Sequence, residues 1–271
     1  MEKDFIKYKE YKMYYQTFGT GNKTMFTFHG FGRDGSDFKV LEPSLGKAYK
    51  IISFDLFYHG RSDFPDNPEG LDFNKEDMKE MINQYLFNNK IERFSLLAYS
   101  LGGRISLQII ELFGERIDSV VLFAPDGLHY TWGYNFVTKT DFGKNQFKKF
   151  IKHSGFFFFA IKLLNNIGVI KESVYKFLIM QLDNQTKREK VFDTHIFFRN
   201  IHPDLKNVVR IINNKKIKLH LFFGKYDSII PAKYGYEFMK GIHDKNALHI
   251  LESGHHLIKE SVNEDLNEFL F

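Results

Sequence analysis

The sequence predicts an α/β fold: a mostly parallel, eight-stranded sheet with helices on both faces and one helical insertion. Three observations carry this. Short, near-continuous apolar runs alternate with helical segments, and that order is written by a parallel sheet covered on both sides. The alternation stops after Ala124-Pro125 and returns near Leu205. At 271 residues, with no repeat and no low-complexity linker, the chain suits one domain carrying an insertion.

The chain opens with short strands and a hairpin turn: Phe5–Tyr8, Lys12–Phe18, a Gly19-Thr20-Gly21-Asn22 turn and Thr24–Phe28. Ser36–Leu45 reads as a short helix, Tyr49–Asp55 as a strand and Asp72–Asn89 as a helix capped at its start. Phe94–Ala98 is a buried strand, Leu101–Phe113 a helix and Ser119–Phe123 a strand. Beyond the insertion come a helix over Leu205–Asn213, a strand over Lys218–Phe223 and a helix over Ala232–Ile242. A strand over Ala247–Leu251 and a closing helix from His256 to Phe271 complete the pattern. The expected organisation is a core of residues 1–126 and 201–271 with a helical insertion at 127–200.

The insertion differs chemically from its host. Gly127–Asn200 holds 12 Lys plus Arg against 5 Asp plus Glu, while the rest of the chain has 26 against 28. The positive balance behind the net charge of +5 is therefore local to the insertion. The same stretch carries 16 aromatics, among them Phe156-Phe157-Phe158-Phe159 and the sole tryptophan, Trp132. Two roles are open for these rings. They pack the insertion, because helices need an apolar face, or they wall an apolar pocket into which lysines draw an anionic substrate.

Composition closes off several classes. Zero cysteines exclude a disulfide scaffold, a thiolate zinc site and a cysteine nucleophile. Met1–Gly19 lacks the apolar core of a signal peptide, so a cytoplasmic protein is expected. The longest apolar run, Gly155–Ile161, ends at Lys162 and is far too short for a spanning helix. Lysines are scattered and accompany no nucleic-acid-binding motif, so nucleic acid is not expected as a partner. The histidines, including His129, His153, His195 and His202, have no metal-ligand spacing, and neither metal nor cofactor is expected.

The strongest local signal is Leu96-Leu97-Ala98-Tyr99-Ser100-Leu101-Gly102-Gly103, which joins an apolar strand directly to a helix through small-x-Ser-x-Gly. So sharp a turn strains the serine backbone and points its hydroxyl outward, and larger side chains two residues to either side would collide. Ala98 stands where a glycine would be usual. Taken alone, Ser100 also reads as an ordinary helix N-cap. His29-Gly30-Phe31-Gly32 follows the strand ending at Phe28, where backbone N–H groups can turn toward a developing negative charge. The Phe31 and Leu101 amides are the candidate pair, Leu101 lying at a helix N-terminus whose dipole favours an anion. A serine hydroxyl needs a base, usually a histidine held by a carboxylate. Asp227 and His255 follow two later strands, and parallel strands end on one edge of the sheet, so Ser100, Asp227 and His255 can converge there.

These motifs resemble those of α/β-hydrolase fold proteins from about Lys12 to the C-terminus. The resemblance rests on His29-Gly30-Phe31-Gly32, Asp55-Leu56-Phe57-Tyr58-His59-Gly60-Arg61-Ser62, the Ser100 turn, Gly224-Lys225-Tyr226-Asp227 and Gly254-His255. It implies that Ser100 is a nucleophile, His255 general base then acid, and Asp227 its orienting carboxylate. It also implies that 127–200 is a helical cap, that His59 is structural, and that Asp126 is the alternative acid. His256 is expected to start a helix or line a pocket.

A serine at residue 100 points to acyl transfer from an ester-like substrate to water, the sole partner expected being a small molecule, with Tyr99, Arg104 and Trp132 as candidate pocket residues. Two further readings stay open. Tyr99-Ser100-Leu101-Gly102-Gly103-Arg104 is similar to the corresponding turn of the menaquinone-pathway synthase that eliminates pyruvate with the same triad, where an arginine binds carboxylates. A non-catalytic ligand-binding or membrane-surface protein is the third, favoured by the Phe-rich basic insertion. Substrate identity and oligomeric state are not readable from the sequence.

Overall fold

The structure, a computed structural model, describes residues 3–270. Among them, eight strands form one sheet: β1 (Lys3–Tyr8), β2 (Tyr11–Phe18), β3 (Lys23–Phe28), β4 (Tyr49–Phe54), β5 (Phe94–Tyr99), β6 (Ile117–Phe123), β7 (Lys218–Gly224) and β8 (Leu248–Leu251). Their order across the sheet is β1-β2-β4-β3-β5-β6-β7-β8. The β1–β2 and β2–β4 pairs are antiparallel, and all others are parallel. The hairpin turn lies between Tyr8 and Tyr11, where Lys9 takes φ 51°. The Gly19–Asn22 turn is no hairpin, because β4 separates β2 from β3.

All six residues of β5 are buried, as a strand covered on both faces requires. Phenylalanine fills much of this core. Phe26 stacks on Phe94 at 4.7 Å, Phe28 on Phe54 at 5.2 Å and Phe123 on Phe222 at 4.8 Å, each ring at most 1% exposed. Cross-strand ring pairs of this kind add to simple area burial.

The helices are α1 (Glu42–Leu45), α2 (Lys75–Asn88), α3 (Leu101–Phe113), α4 (Trp132–Lys139), α5 (Asp141–Lys152), α6 (Gly155–Asn166), α7 (Glu172–Leu182), α8 (Gln185–Phe197), α9 (Leu205–Lys215), α10 (Lys233–Met239) and α11 (Val262–Leu270). Helix α2 starts three residues later than the sequence suggests, because Asn74 and Asp77 form a reciprocal capping box. The expected helix over Ser36–Leu45 is a 3₁₀ turn, Gly35–Leu41, followed by α1 with Pro43 in its first turn. The closing helix begins at Val262, not His256. Leu257 and Ile258, inside the expected helix, are buried from a loop instead, at 0% and 4% exposure.

The chain divides into two compact units. One comprises the chain up to Pro65, Asn74–His129 and the chain from Ile201; the other comprises Asp66–Phe73 and Tyr130–Asn200. The second unit thus takes in 66–73, which the sequence pattern leaves with the core. Within that unit Arg199 donates to the carbonyls of Pro68 (3.0 Å), Glu69 (3.2 Å) and Leu71 (2.7 Å), Lys148 pairs with Glu69, and Phe73 stacks on Phe197 at 4.9 Å. Its own centre is Ile151, Phe192 and Ile196, beside which buried Arg188 donates to the carbonyls of Ile151 (2.9 Å) and Leu182 (2.8 Å). Among the described residues no helix is long and apolar enough to cross a membrane.

Strands β7 and β8 carry a histidine pair, His220 Nδ1 standing 3.1 Å from His249 Nε2. Burial first, then the neighbouring His249 and Lys218 charges, hold His220 down to about 4, well below its ordinary 6.5. The folded state therefore needs a neutral imidazole. Stability is full above pH 6.5 and falls as the pH drops toward 4, because only the unfolded chain takes up the proton freely. In urea titrations at pH 7 and pH 4, His220→Leu should show an acid-induced loss smaller than that of the unaltered chain by roughly 2–3 kcal/mol.

Candidate active site

Strand β5 ends at Tyr99 and α3 begins at Leu101, leaving Ser100 alone at the junction with φ 51° and ψ −116°. A non-glycine residue rarely holds that conformation. Its neighbours hold it there. Ser100 N–H donates to Phe123 O (3.0 Å), Ser100 O accepts from Gly103 N–H and Asp126 N–H (2.8 Å each), and Gly102 N–H donates to His29 O (3.0 Å). Residue 102 must be glycine, since a Cβ there would run into Phe28 O. The Ser100 side chain caps no helix N–H. Its Oγ lies 3.1 Å from His255 Nε2.

His255 Nδ1 lies 2.7 Å from Asp227 Oδ2, and Asp227 Oδ1 accepts from the N–H groups of Ile229 (2.8 Å) and Ile230 (2.9 Å). Both carboxylate oxygens are thus held, and the Asp227 side chain is fully buried. A carboxylate at Nδ1 makes that nitrogen the donor and leaves Nε2 to accept from Ser100 O–H. The loops carrying acid and base are stitched together by Lys225 N–H to Leu251 O (2.8 Å) and Tyr226 N–H to Ser253 O (3.0 Å).

The loop His29-Gly30-Phe31-Gly32 runs beside Ser100, and a Cβ at Gly30 would lie 2.9 Å from the Tyr99 ring and 3.2 Å from Ser100 Cβ. Two buried histidines shape it. His29 Nε2 accepts from Leu56 N–H (2.9 Å) and its Nδ1 faces Gly30 O (2.7 Å). His59 Nε2 accepts from Gly32 N–H (2.9 Å) and its Nδ1 faces Phe57 O (2.9 Å). Both rings are therefore neutral with the proton on Nδ1. Asp55, in the same motif, accepts from Gly35 N–H (2.7 Å) and Arg61 N–H (2.8 Å), while burial pushes its carboxyl above the usual range. The Leu101 N–H is the first of α3, one of those that a helix cannot satisfy internally.

The remaining candidates have other partners. Tyr99 is buried, and its hydroxyl donates to His255 O (3.0 Å), so it buttresses the base loop. Burial pushes that phenol well above its ordinary range. Arg104, considered above for a substrate carboxylate, is 2% exposed and pairs with Asp126 at 2.5 Å. The same pairing takes Asp126, the alternative acid, to Arg104 and not to His255. Trp132 opens α4 in the second unit, 77% exposed and stacked on Phe136 at 5.0 Å. His256 starts no helix. Its Nδ1 accepts from Arg33 (2.6 Å), which also pairs with Asp37 (2.9 Å). Sequence reasoning missed Arg33 as the link between the His29 loop and the base loop, because no local pattern couples residues so far apart in the chain. Among the described residues no three His, Asp or Glu side chains are grouped to hold a metal ion.

A family model for the alpha/beta hydrolase fold matches residues 23–262. The chain belongs to that family. It is 23% identical to the uncharacterized hydrolase YugF of Bacillus subtilis over 95% of this chain and 92% of that protein. Three other curated relatives are matched over only 37%, 29% and 33% of their lengths. Among solved structures, a thermophilic esterase from Thermogutta terrifontis superposes with a TM-score of 0.69 at 15% identity, covering 100% of this chain and 98% of that one. A meta-cleavage product hydrolase from Pseudomonas fluorescens gives 0.64 at 17% identity, covering 98% and 97%. At such identities these two likenesses concern the fold.

The Arg104–Asp126 pair is a stability element open to test. Asp126→Ala leaves a buried guanidinium without its counter-charge and should cost about 3–5 kcal/mol in denaturant unfolding. Arg104→Met combined with Asp126→Ala should regain much of that loss, since the stranded charge is gone.

Proposed function

We propose that this chain is a serine hydrolase that cleaves an ester-like bond in a small, apolar or anionic substrate through an acyl-enzyme on Ser100. The observation that carries the proposal is the continuous relay from Ser100 Oγ to His255 Nε2 (3.1 Å) and from His255 Nδ1 to Asp227 (2.7 Å). Ser100 Oγ attacks the carbonyl carbon while its proton passes to His255 Nε2. Asp227 keeps the imidazole oriented and stabilises the imidazolium that forms. The Phe31 and Leu101 N–H groups donate to the oxyanion, where fixed donors do more than mobile water. The proton on Nε2 then goes to the departing alkoxide. Water, deprotonated by the same nitrogen, attacks the acyl carbon, and collapse of the second tetrahedral intermediate frees the acid and restores Ser100. This cycle needs neither cofactor nor metal, its partner is the substrate alone, and its setting in this proposal is the cytoplasm.

The pyruvate-eliminating alternative loses its main support, since Arg104 is buried against Asp126. A non-catalytic role leaves the relay and the strained Ser100 backbone without a purpose.

The test uses short p-nitrophenyl esters and a fluorophosphonate probe. Ser100→Ala and His255→Ala should each lower kcat/KM by about 10⁴-fold or more, and Asp227→Asn by about 10⁴-fold, with circular dichroism unchanged. The probe should label Ser100 in the unaltered chain and leave Ser100→Ala unmodified. Undiminished turnover in Ser100→Ala, or labelling at another residue, would overturn the proposal.

A further inference from the structure

Helix α6, in the second unit, is packed on one side only. Phe157 lies 4.4 Å from Phe150, Phe158 lies 6.3 Å from the same ring, and Ile161 is buried. The other side is open. Phe156, Phe159, Leu163 and Ile167 are 82%, 66%, 50% and 63% exposed, and Val169 beyond them is 67% exposed. Spacings of three, four and four residues put the first four on a single helical stripe. A contiguous apolar stripe of this kind is not what a helix bathed only in water presents.

Basic residues bracket the stripe along the chain. Lys149 and Lys152 occupy the last turn of α5, Lys162 lies within α6, and Lys171 precedes α7. All four are exposed, and none is paired with a carboxylate among the described residues. Other lysines of this unit do find acids, as Lys176 does with Glu172 and Lys187 with Asp183.

We infer that the open face of α6 docks on the surface of an anionic lipid bilayer. The stripe is made of Phe, Leu and Ile, side chains that can enter the boundary between headgroups and acyl chains. The unpaired lysines meet lipid phosphates at the same depth, their stems lying along the apolar surface. A second copy of this chain fits less well, since a two-fold contact through this face would bring the same lysines together in unscreened proximity. The inference stands apart from the proposed hydrolysis, because none of these residues belongs to the Ser100 relay.

The experiment is cosedimentation of the full chain with vesicles of phosphatidylcholine alone or of phosphatidylcholine mixed with phosphatidylglycerol. The chain should pellet with the mixed vesicles at low salt, bind the neutral ones at least about tenfold more weakly and be released by added salt. Phe156→Ser with Phe159→Ser, and separately Lys149→Gln with Lys152→Gln, Lys162→Gln and Lys171→Gln, should each weaken binding about tenfold or more. Phe159→Trp in a Trp132→Phe background should shift its emission to the blue with mixed vesicles only, a readout that survives a failure of the serine variants to fold. Absence of binding at low salt, or binding undiminished by both sets of substitutions, would overturn the inference. So would sedimentation velocity showing a dimer that the Phe156→Ser, Phe159→Ser chain cannot form, without vesicle binding by either.

Discussion

Everything at the candidate site hangs from the backbone of Ser100, held at φ 51° by hydrogen bonds from three other stretches of chain. Strain of about 1–3 kcal/mol at such a residue persists only where the surroundings over-determine it. Here four backbone hydrogen bonds, each worth about 1 kcal/mol net, do so. Their partners are His29 after β3, Phe123 at the end of β6, Asp126 beyond it, and Gly103 in α3. The turn therefore exists only because β3, β5 and β6 end side by side, with Phe28 opposite Ala98 and Tyr99 opposite Phe123. A slip of one residue in any of the three would unseat the hydroxyl.

The same sheet edge brings up the other groups. Strands β7 and β8 end at Gly224 and Leu251, and the loops that follow carry Asp227 and His255. The polar side chains nearest the relay have named partners. Asp227 is held at both oxygens, Tyr99 holds the base loop through a carbonyl, Arg33 bridges to His256, and His29 and His59 are fixed as neutral Nδ1–H tautomers by backbone donors. Such a network rigidifies because each member would be left unsatisfied in a low-dielectric interior if another moved. Preorganisation of this kind is what stabilisation of a developing charge requires.

Two groups of phenylalanines in the chain differ in their surroundings. In the central strands, Phe26, Phe28, Phe54, Phe94, Phe123 and Phe222 lie in stacked or edge-to-face pairs and are almost fully buried, filling the volume between strands and helices. In the second unit the run Phe156-Phe157-Phe158-Phe159 divides, the middle two turned onto Phe150 and the outer two turned to solvent. A run of four identical residues has no periodicity of its own. Which two are packed is decided by the neighbouring α5 and α8, and no pattern within the run could reveal it.

The amino-acid sequence by itself determined the strands, the small-x-Ser-x-Gly turn and the residues that follow strands β3, β5, β7 and β8, because backbone sterics and the facing of apolar residues are local properties. It placed Ser100, Asp227 and His255 on one edge through topology alone. The tertiary structure decided what those properties leave open: that Arg104 and Asp126 neutralise each other, that Tyr99 serves the base loop, that 66–73 joins the second unit through Arg199, and that 256–261 is loop where the sequence pattern suggested helix. Each of these is a contact between segments far apart in the chain. Such a contact depends on where strand and helix ends meet in space, and so becomes legible only when the whole sheet is assembled.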